Sequence, residues 1–254
     1  MRGISGAAIV DNGNGTVTKS GGLVERTREQ GEWIIAHGGE VFPKNIEITQ
    51  DGYTMEKLEF IEYYDVGSTF SIETLRADVW SQPPVVPPTK NTAKLLEAKM
   101  EHTFDKHLSG VLSSSIKEAI AVDAIIAGNG AYALRHCLTH GDPTAENVMV
   151  RPGYGMVFID PIRATEVVPD SPAVDVGKVL QSAYGWEDAK YSSGVLAYKP
   201  GDIKDALKDD ELFVVGEAWA VVHIMRAIPY IIRSMPDSFD RVVAVLLRAI
   251  ERAQ

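Results

Sequence analysis

The chain has 254 residues, enough for one large domain or two small lobes with a substantial core. A formal net charge of −10 argues against a general polyanion-binding surface, which needs clustered Lys and Arg, and the single cysteine, Cys137, excludes an intrachain disulfide and a Cys-rich metal site. With 45% hydrophobic and 24% charged residues the composition is that of a soluble globular protein; no apolar run is read as approaching the roughly 18 residues of a membrane span and no signal-peptide pattern opens the chain, so a cytoplasmic location is expected.

In chain order, Ala7 to Val10 and Thr16 to Lys19 read as short strands joined by Asp11-Asn12-Gly13-Asn14-Gly15, a hairpin signal because Asn and Gly tolerate positive φ. Ahead of it, Gly3, Ser5 and Gly6 have the small side chains that let backbone N–H groups approach a phosphate. A helix is predicted from about Gly22 to His37, with Leu23, Trp33 and Ile34 near one face and Glu25, Glu29 and Glu32 at helical spacing. Ile46 to Ile48 and Tyr53 to Met55 read as strands around an Asp51-Gly52 turn. Ser81 to Thr89, with Pro83, Pro84, Pro87 and Pro88, reads as a stiff extended connector. Lys94 to Leu108 and Ser114 to Leu134 carry helical periodicity, the second burying Ile116, Ile120, Ala124, Ile125 and Ala131. Asp175 to Gln181 starts a helix, the acidic stretch Asp202 to Glu211 reads as a solvated face, and two helices follow, Gly216 to Met235 with a bend at Pro229 and Asp237 to Ala253.

The chemistry concentrates in His140 to Asp160, HGDPTAENVMVRPGYGMVFID. Asp142 and Asn147 lie five apart in a segment that Pro143 keeps out of helix, and Asp160 follows thirteen residues after Asn147 at the end of the apolar run Met156 to Ile159. The layout is a loop, a strand, a glycine turn, a strand and a carboxylate. A hydroxyl attacking a nucleotide γ-phosphate needs little covalent help: one carboxylate to orient the nucleophile, and oxygen ligands that hold Mg²⁺ on the phosphates. One Asp, one Asn and a second Asp supply that set.

On these residues the sequence resembles the protein-kinase-like superfamily, most closely its aminoglycoside phosphotransferase and choline kinase branch, whose catalytic loop begins His-Gly-Asp. The resemblance implies a two-lobed α+β fold with a small β-rich N-lobe over residues 1–58 and a mostly helical C-lobe over residues 59–254. It implies ATP and Mg²⁺ as cofactors, Asp142 as the catalytic residue, and Asn147 and Asp160 as metal ligands. Lys19 takes the place of the lysine that contacts the nucleotide phosphates, with Glu29 chosen among the helix carboxylates as its partner. Ser5 and Gly6 fall in the phosphate-covering loop. Met55 stands where the family guards a back pocket, equally readable as core, and Glu56 to Leu58 form the adenine-binding hinge. Asp175 matches an Asp that braces the catalytic loop from below. Pro161 replaces the Phe that follows the metal-binding Asp in protein kinases, so a Phe-driven activation switch is not expected.

The implied activity is transfer of the γ-phosphoryl group of ATP to a hydroxyl on a small molecule or a protein. Nucleic acid and membrane are excluded as partners. The alternatives are a Ser/Thr protein kinase, a nucleotide-binding module without turnover, and a nucleotidyl transferase, the last of which needs extra basic residues at the α-phosphate that the sequence does not offer.

Overall fold

The structure, a computed structural model, describes residues 7–60, 68–192 and 199–254. Ser5 and Gly6, assigned above to a phosphate-covering loop, lie outside the described residues. The chain forms two compact units, Met1–Glu62 with Asn147–Arg163, and Tyr63–Glu146 with Ala164–Gln254.

In the first unit, β1 (Ala7–Asp11) and β2 (Thr16–Gly21) make the hairpin expected from the Asn/Gly run, with Gly13 and Gly15 at positive φ. Then α1 (Val24–His37) crosses to β3 (Glu47–Thr49) and β4 (Gly52–Glu56), giving an antiparallel sheet in the order β1-β2-β4-β3. The helix starts later than predicted because Gly21 and Gly22 both take positive φ, 77° and 65°, which no right-handed helix accommodates. A second antiparallel sheet joins β5 (Glu59–Phe60) to β6 (Val148–Arg151) and β7 (Gly155–Phe158), so this unit is completed by a hairpin from far along the chain. Trp33 of α1 and Phe158 of β7 both pack on Phe42, with ring centroids 5.2 and 6.4 Å away.

The approach of α1 to the sheet depends on Gly31. A Cβ there would lie 2.8 Å from both Ile48 Cδ1 and Tyr53 Cγ; the half-buried Ile48 can swing its terminal methyl aside, but the fully buried Tyr53 ring has no room to yield. Gly31→Val is expected to lower stability by about 1–3 kcal/mol through overpacking, read as a Tm several degrees below the parent's in a thermal melt. A parent-like Tm would show that the helix shifts without cost.

The second unit is helical: α2 (Ser68–Thr74), α3 (Thr92–His107), α4 (Ser114–Ala133), α5 (Pro172–Ala183), α6 (Trp186–Tyr191), α7 (Pro200–Leu207), α8 (Asp210–Ser234) and α9 (Phe239–Ala253). α2 runs on through a π-helical turn, Leu75–Val79, into Trp80. α5 begins before Asp175 because Pro172, its φ already helical, fits the first turn. α8 begins at Asp210 rather than Gly216: the Asp209 side chain accepts the Leu212 amide at 3.0 Å and caps it, so part of the acidic stretch read as a solvated face is a helix start. α8 also corrects the expectation of no span-length apolar segment. It is long and apolar enough to cross a membrane by composition, with 72% of its most apolar window buried inside the protein. Its Gly216 faces Val176 and Leu180 of α5, and Gly177 of α5 faces Trp219 in return, so small residues on both helices bring the two backbones together.

Candidate active site

In the second unit, the loop carrying Asp142 is held by buried carboxylates beneath it. Asp175, fully buried on α5, accepts the His140 amide and the Trp80 indole N–H on Oδ2, both at 3.0 Å, and the Gly141 amide on Oδ1 at 2.8 Å. Gly141 takes φ of 79°, a conformation that favours glycine, and thereby turns two successive amides toward one carboxylate. Burial pushes the Asp175 carboxyl up to about 7, against the pull of these three hydrogen bonds and with Asp170's charge adding to the rise. Asp170, also buried, accepts the amides of Val85 and Val86 at 2.7 Å on one oxygen and the amide and hydroxyl of Thr139 on the other. The proline-rich connector therefore does more than span a distance: with Leu138 N–H on Gln82 O and Asp170 N–H on Val86 O, its main chain is pinned to the loop's N-terminal side.

Asp142 itself donates its amide to His140 Nδ1 at 3.2 Å, and its carboxylate lies 2.9 Å from the Lys178 ammonium. Toward the end of the loop, Glu146 is gripped by Lys190, whose ammonium contacts both carboxylate oxygens at 2.6 and 2.7 Å and sits over the rings of Trp186 and Tyr191. The Ser182 hydroxyl accepts the Ala145 amide and donates to the buried Glu187, whose carboxyl burial and the Glu146 charge push up to about 7.

In the first unit, Asn147 and Asp160 stand at the open end of the β6–β7 hairpin. The Ile159 amide donates to Asn147 O at 2.9 Å, one step beyond the Val148–Phe158 register pair, which sets Asn147 opposite Ile159 with Asp160 the next residue along. Asp160 takes φ of 59°, a left-handed conformation uncommon for a residue with a Cβ. Its carboxylate meets the Lys19 ammonium at 2.5 Å, a contact joining residues 141 positions apart, and its charge, after burial, also holds the Tyr53 phenol well above its ordinary value. Lys19 and Tyr53 are register partners on β2 and β4, so both point to the same face of the sheet.

Lys19 is only 3% exposed, although it is a charged residue on a short strand. Its second partner is Gln30 Oε1 at 2.9 Å, not Glu29. Glu29 is exposed: the face of α1 turned to the sheet carries Thr27, Gln30, Gly31 and Ile34, and the three glutamates at helical spacing lie off it. The nearest helix group to the ammonium is thus a neutral amide, and Asp160 supplies the negative charge.

A model of the phosphotransferase enzyme family matches residues 78–205, half of the chain. The chain belongs to the phosphotransferase enzyme family. No curated protein matches it by sequence. Among solved structures, choline kinase LicA from Streptococcus pneumoniae superposes with a TM-score of 0.61 at 12% identity over 99% of this chain and 92% of that one, and LicA is also known in complex with AMP. The gentamicin complex of APH(2")-IIa gives 0.57 at 14% identity over 95% and 88%, and the GDP complex of aminoglycoside 2'-phosphotransferase-IIIa gives 0.58 at 11% over 98% and 90%. At such identities the likeness is one of fold, the kinase-like α+β arrangement with a small antiparallel N-lobe and a mostly helical C-lobe.

In this phosphotransferase the hinge differs from expectation. Met55 is buried with Val17 and Tyr53. The Glu56 amide is bound to Lys44 O and its carboxylate to the Lys44 amide and the Arg151 guanidinium, which also donates to the carbonyls of Glu40 and Phe42. Arg151 is largely buried and needs those acceptors, so the Glu56 carboxylate serves as its structural counter-ion. The Lys57 amide donates to Gly15 O, tying the hinge to the β1–β2 turn, and Leu58 is buried. Trp80, Asp170, Lys178, Glu146 and Lys190 were not picked out from the sequence.

Proposed function

We propose that this phosphotransferase moves the γ-phosphoryl group of ATP to a hydroxyl on a small molecule, with Asp142 receiving the hydroxyl proton. The observation that carries the reading is the meeting of Lys19 with Asp160 beside Asn147: a buried cation from within β2 and two hard oxygen donors from the open end of the β6–β7 hairpin. Among the described residues no three His, Cys, Asp or Glu side chains cluster as a self-sufficient metal cage. One amide oxygen and one carboxylate nevertheless fit Mg²⁺, which keeps several waters and binds through one or two carboxylates together with substrate phosphates. When bound, that ion neutralises charge on the β- and γ-phosphates. Lys19, held in the sheet by Gln30 and Asp160, then holds phosphate oxygens, and the first unit serves as the nucleotide lobe. At the hinge, Leu58 is the residue proposed to meet the base. The solved neighbours carrying AMP and GDP support a nucleotide, and those holding gentamicin or named as choline kinase support a small-molecule acceptor.

The test is incubation with Mg²⁺ and either γ-labelled or α-labelled ATP across a panel of hydroxyl acceptors. γ-Label appearing on an acceptor is expected; α-label on the acceptor would make the protein a nucleotidyl transferase, and no transfer with retained ATP affinity would make it a binding module. Asp160→Asn is the paired control. It keeps an oxygen for Lys19 to bond, which Asp160→Ala would not, but it removes the charge that both a metal and the buried ammonium need, so a thermal melt of the variant accompanies the rates. Turnover is expected to fall about 10²–10³-fold, with a higher Mg²⁺ requirement in a metal titration. Parent-like Mg²⁺ dependence would remove Asp160 from the metal site.

A further inference from the structure

α5 presents two charged side chains to three consecutive loop residues. Asp175 takes the amides of His140 and Gly141, and Lys178, one turn later on the same helix face, takes the side chain of Asp142. The Lys178–Asp142 pair is largely enclosed, the two side chains being 15% and 21% exposed. We propose that Lys178 is a positioning residue for phosphoryl transfer, its ammonium fixing the Asp142 carboxylate in the orientation that receives the acceptor hydroxyl. The proposal rests on the phosphotransfer reading above.

The surroundings offer Lys178 a further cation, a neutral imidazole and an occupied acid. Behind Lys178, α8 brings His223, buried, with Nε2 donating to Val174 O, and Arg226, whose Nη1 lies 3.5 Å from His223 Nδ1. Burial first, then the charges of Lys178 and Arg226, hold the His223 imidazole well below its ordinary pKa, so it is neutral near pH 7. The other acid that α5 turns to the loop, Asp175, is occupied by three N–H donors. The ammonium therefore has Asp142 as its ionic partner. A carboxylate with two free torsions loses rate when its oxygen strays, since a misplacement of about 1 Å can cost on the order of 10²-fold; a cation anchored on a rigid helix removes that freedom.

In the step itself the acceptor oxygen forms a bond to the γ-phosphorus as the bond to the β–γ bridging oxygen breaks. The electron pair of that bond leaves on ADP, the hydroxyl proton passes to Asp142, and Lys178 remains protonated throughout.

The experiment compares the full chain with Lys178→Met and Lys178→Arg, each alone and combined with Asp142→Asn. Turnover of Mg²⁺-ATP is followed with the best acceptor of the panel, or with water. Lys178→Met is expected to lower kcat about 10- to 100-fold with KM for ATP unchanged, and Lys178→Arg to recover most of the loss. In the Asp142→Asn background, Lys178→Met is expected to change kcat by less than about twofold, because the group it acts through is already gone. Parent-like kcat in Lys178→Met, an equal loss in both backgrounds, or Arg no better than Met would each overturn the proposal, the last two marking a structural ion pair. A measurement without turnover separates this from the reading beneath it: the Lys178 ammonium is expected as a resolved ¹⁵N–¹H resonance in the parent that disappears in Asp142→Asn. Its absence from the parent overturns the pairing. Its presence in a parent that transfers no phosphoryl group overturns the phosphotransfer reading and leaves the pair structural.

Discussion

Asp142→Asn is expected to reduce phosphoryl transfer about 10²–10⁴-fold while leaving ATP affinity close to the parent's and the chain folded. The substitution keeps the size of the side chain and an oxygen for Lys178, and it removes the charge that accepts a proton. The loop does not depend on that charge for its shape: it is held by the His140 and Gly141 amides on Asp175, by Thr139 on Asp170, and by Glu146 on Lys190, none of which involves the Asp142 carboxylate. Ground-state binding of nucleotide is assigned to Lys19, Asn147 and Asp160, which the change does not touch. Titration of ATP, a thermal melt and initial rates on one accepted substrate decide the matter. Near-parent turnover would mean that Asp142 is a turn former and would leave the fold without its assigned base.

The part of this site visible in the sequence is the part encoded by local spacing. Asn147 and Asp160 sit at a fixed interval because the β6–β7 hairpin between them has a fixed length, and Asp142 sits on the loop that leads into it, so a one-dimensional pattern picks out all three. Asp175 was visible for the same reason, lying a set distance beyond on the next helix. Lys19 was visible only through resemblance, and its burial was not visible at all, since a short strand does not announce whether it lies at an edge or beneath a helix. The choice of Glu29 among the helix glutamates failed on helix phase, since the group that reaches Lys19 is Gln30. Three glutamates at proper spacing mark a face, but which face meets the sheet is decided by Gly31, whose missing side chain lets α1 approach Tyr53 and Ile48. The pairing of the Glu56 side chain was out of sight for a longer-range reason: its partner Arg151 is 95 positions away, on a hairpin that joins the first unit only in three dimensions. Lys178 and Lys190 share that limit. A lysine in a helix reads as a solvated charge until the loop it reaches is in place.

Asp175→Asn, the same change made 33 positions on, is expected to give the opposite signature: a loss of stability of about 2–4 kcal/mol, with activity falling because the loop is no longer held. Asp175 offers two acceptor oxygens to three N–H donors, from Trp80, His140 and Gly141, and all four groups are buried or in main chain that the fold encloses. An Asn side chain offers one oxygen. Turned toward Trp80 and His140 it aims its NH₂ at the Gly141 amide; flipped, it aims its NH₂ at the other two, and in both orientations donor faces donor. The parent's own pH dependence gives a second readout. The folded Asp175 carboxyl titrates at about 7 against an ordinary 3.8, so between those values the folded state holds a proton that the unfolded state has released. The contribution of this group to stability is therefore greatest at low pH and shrinks as pH rises toward and through about 7, where burial of the charge costs its full amount. Asn does not titrate, so the gap in Tm between parent and variant is expected to be wider at pH 5 than at pH 8, while Glu187 and Asp123, which also titrate near 7, affect parent and variant alike and cancel. Thermal melts at the two pH values read this directly. A variant with parent-like Tm at both would show that the three donors find other acceptors and that Asp175 does not brace the loop.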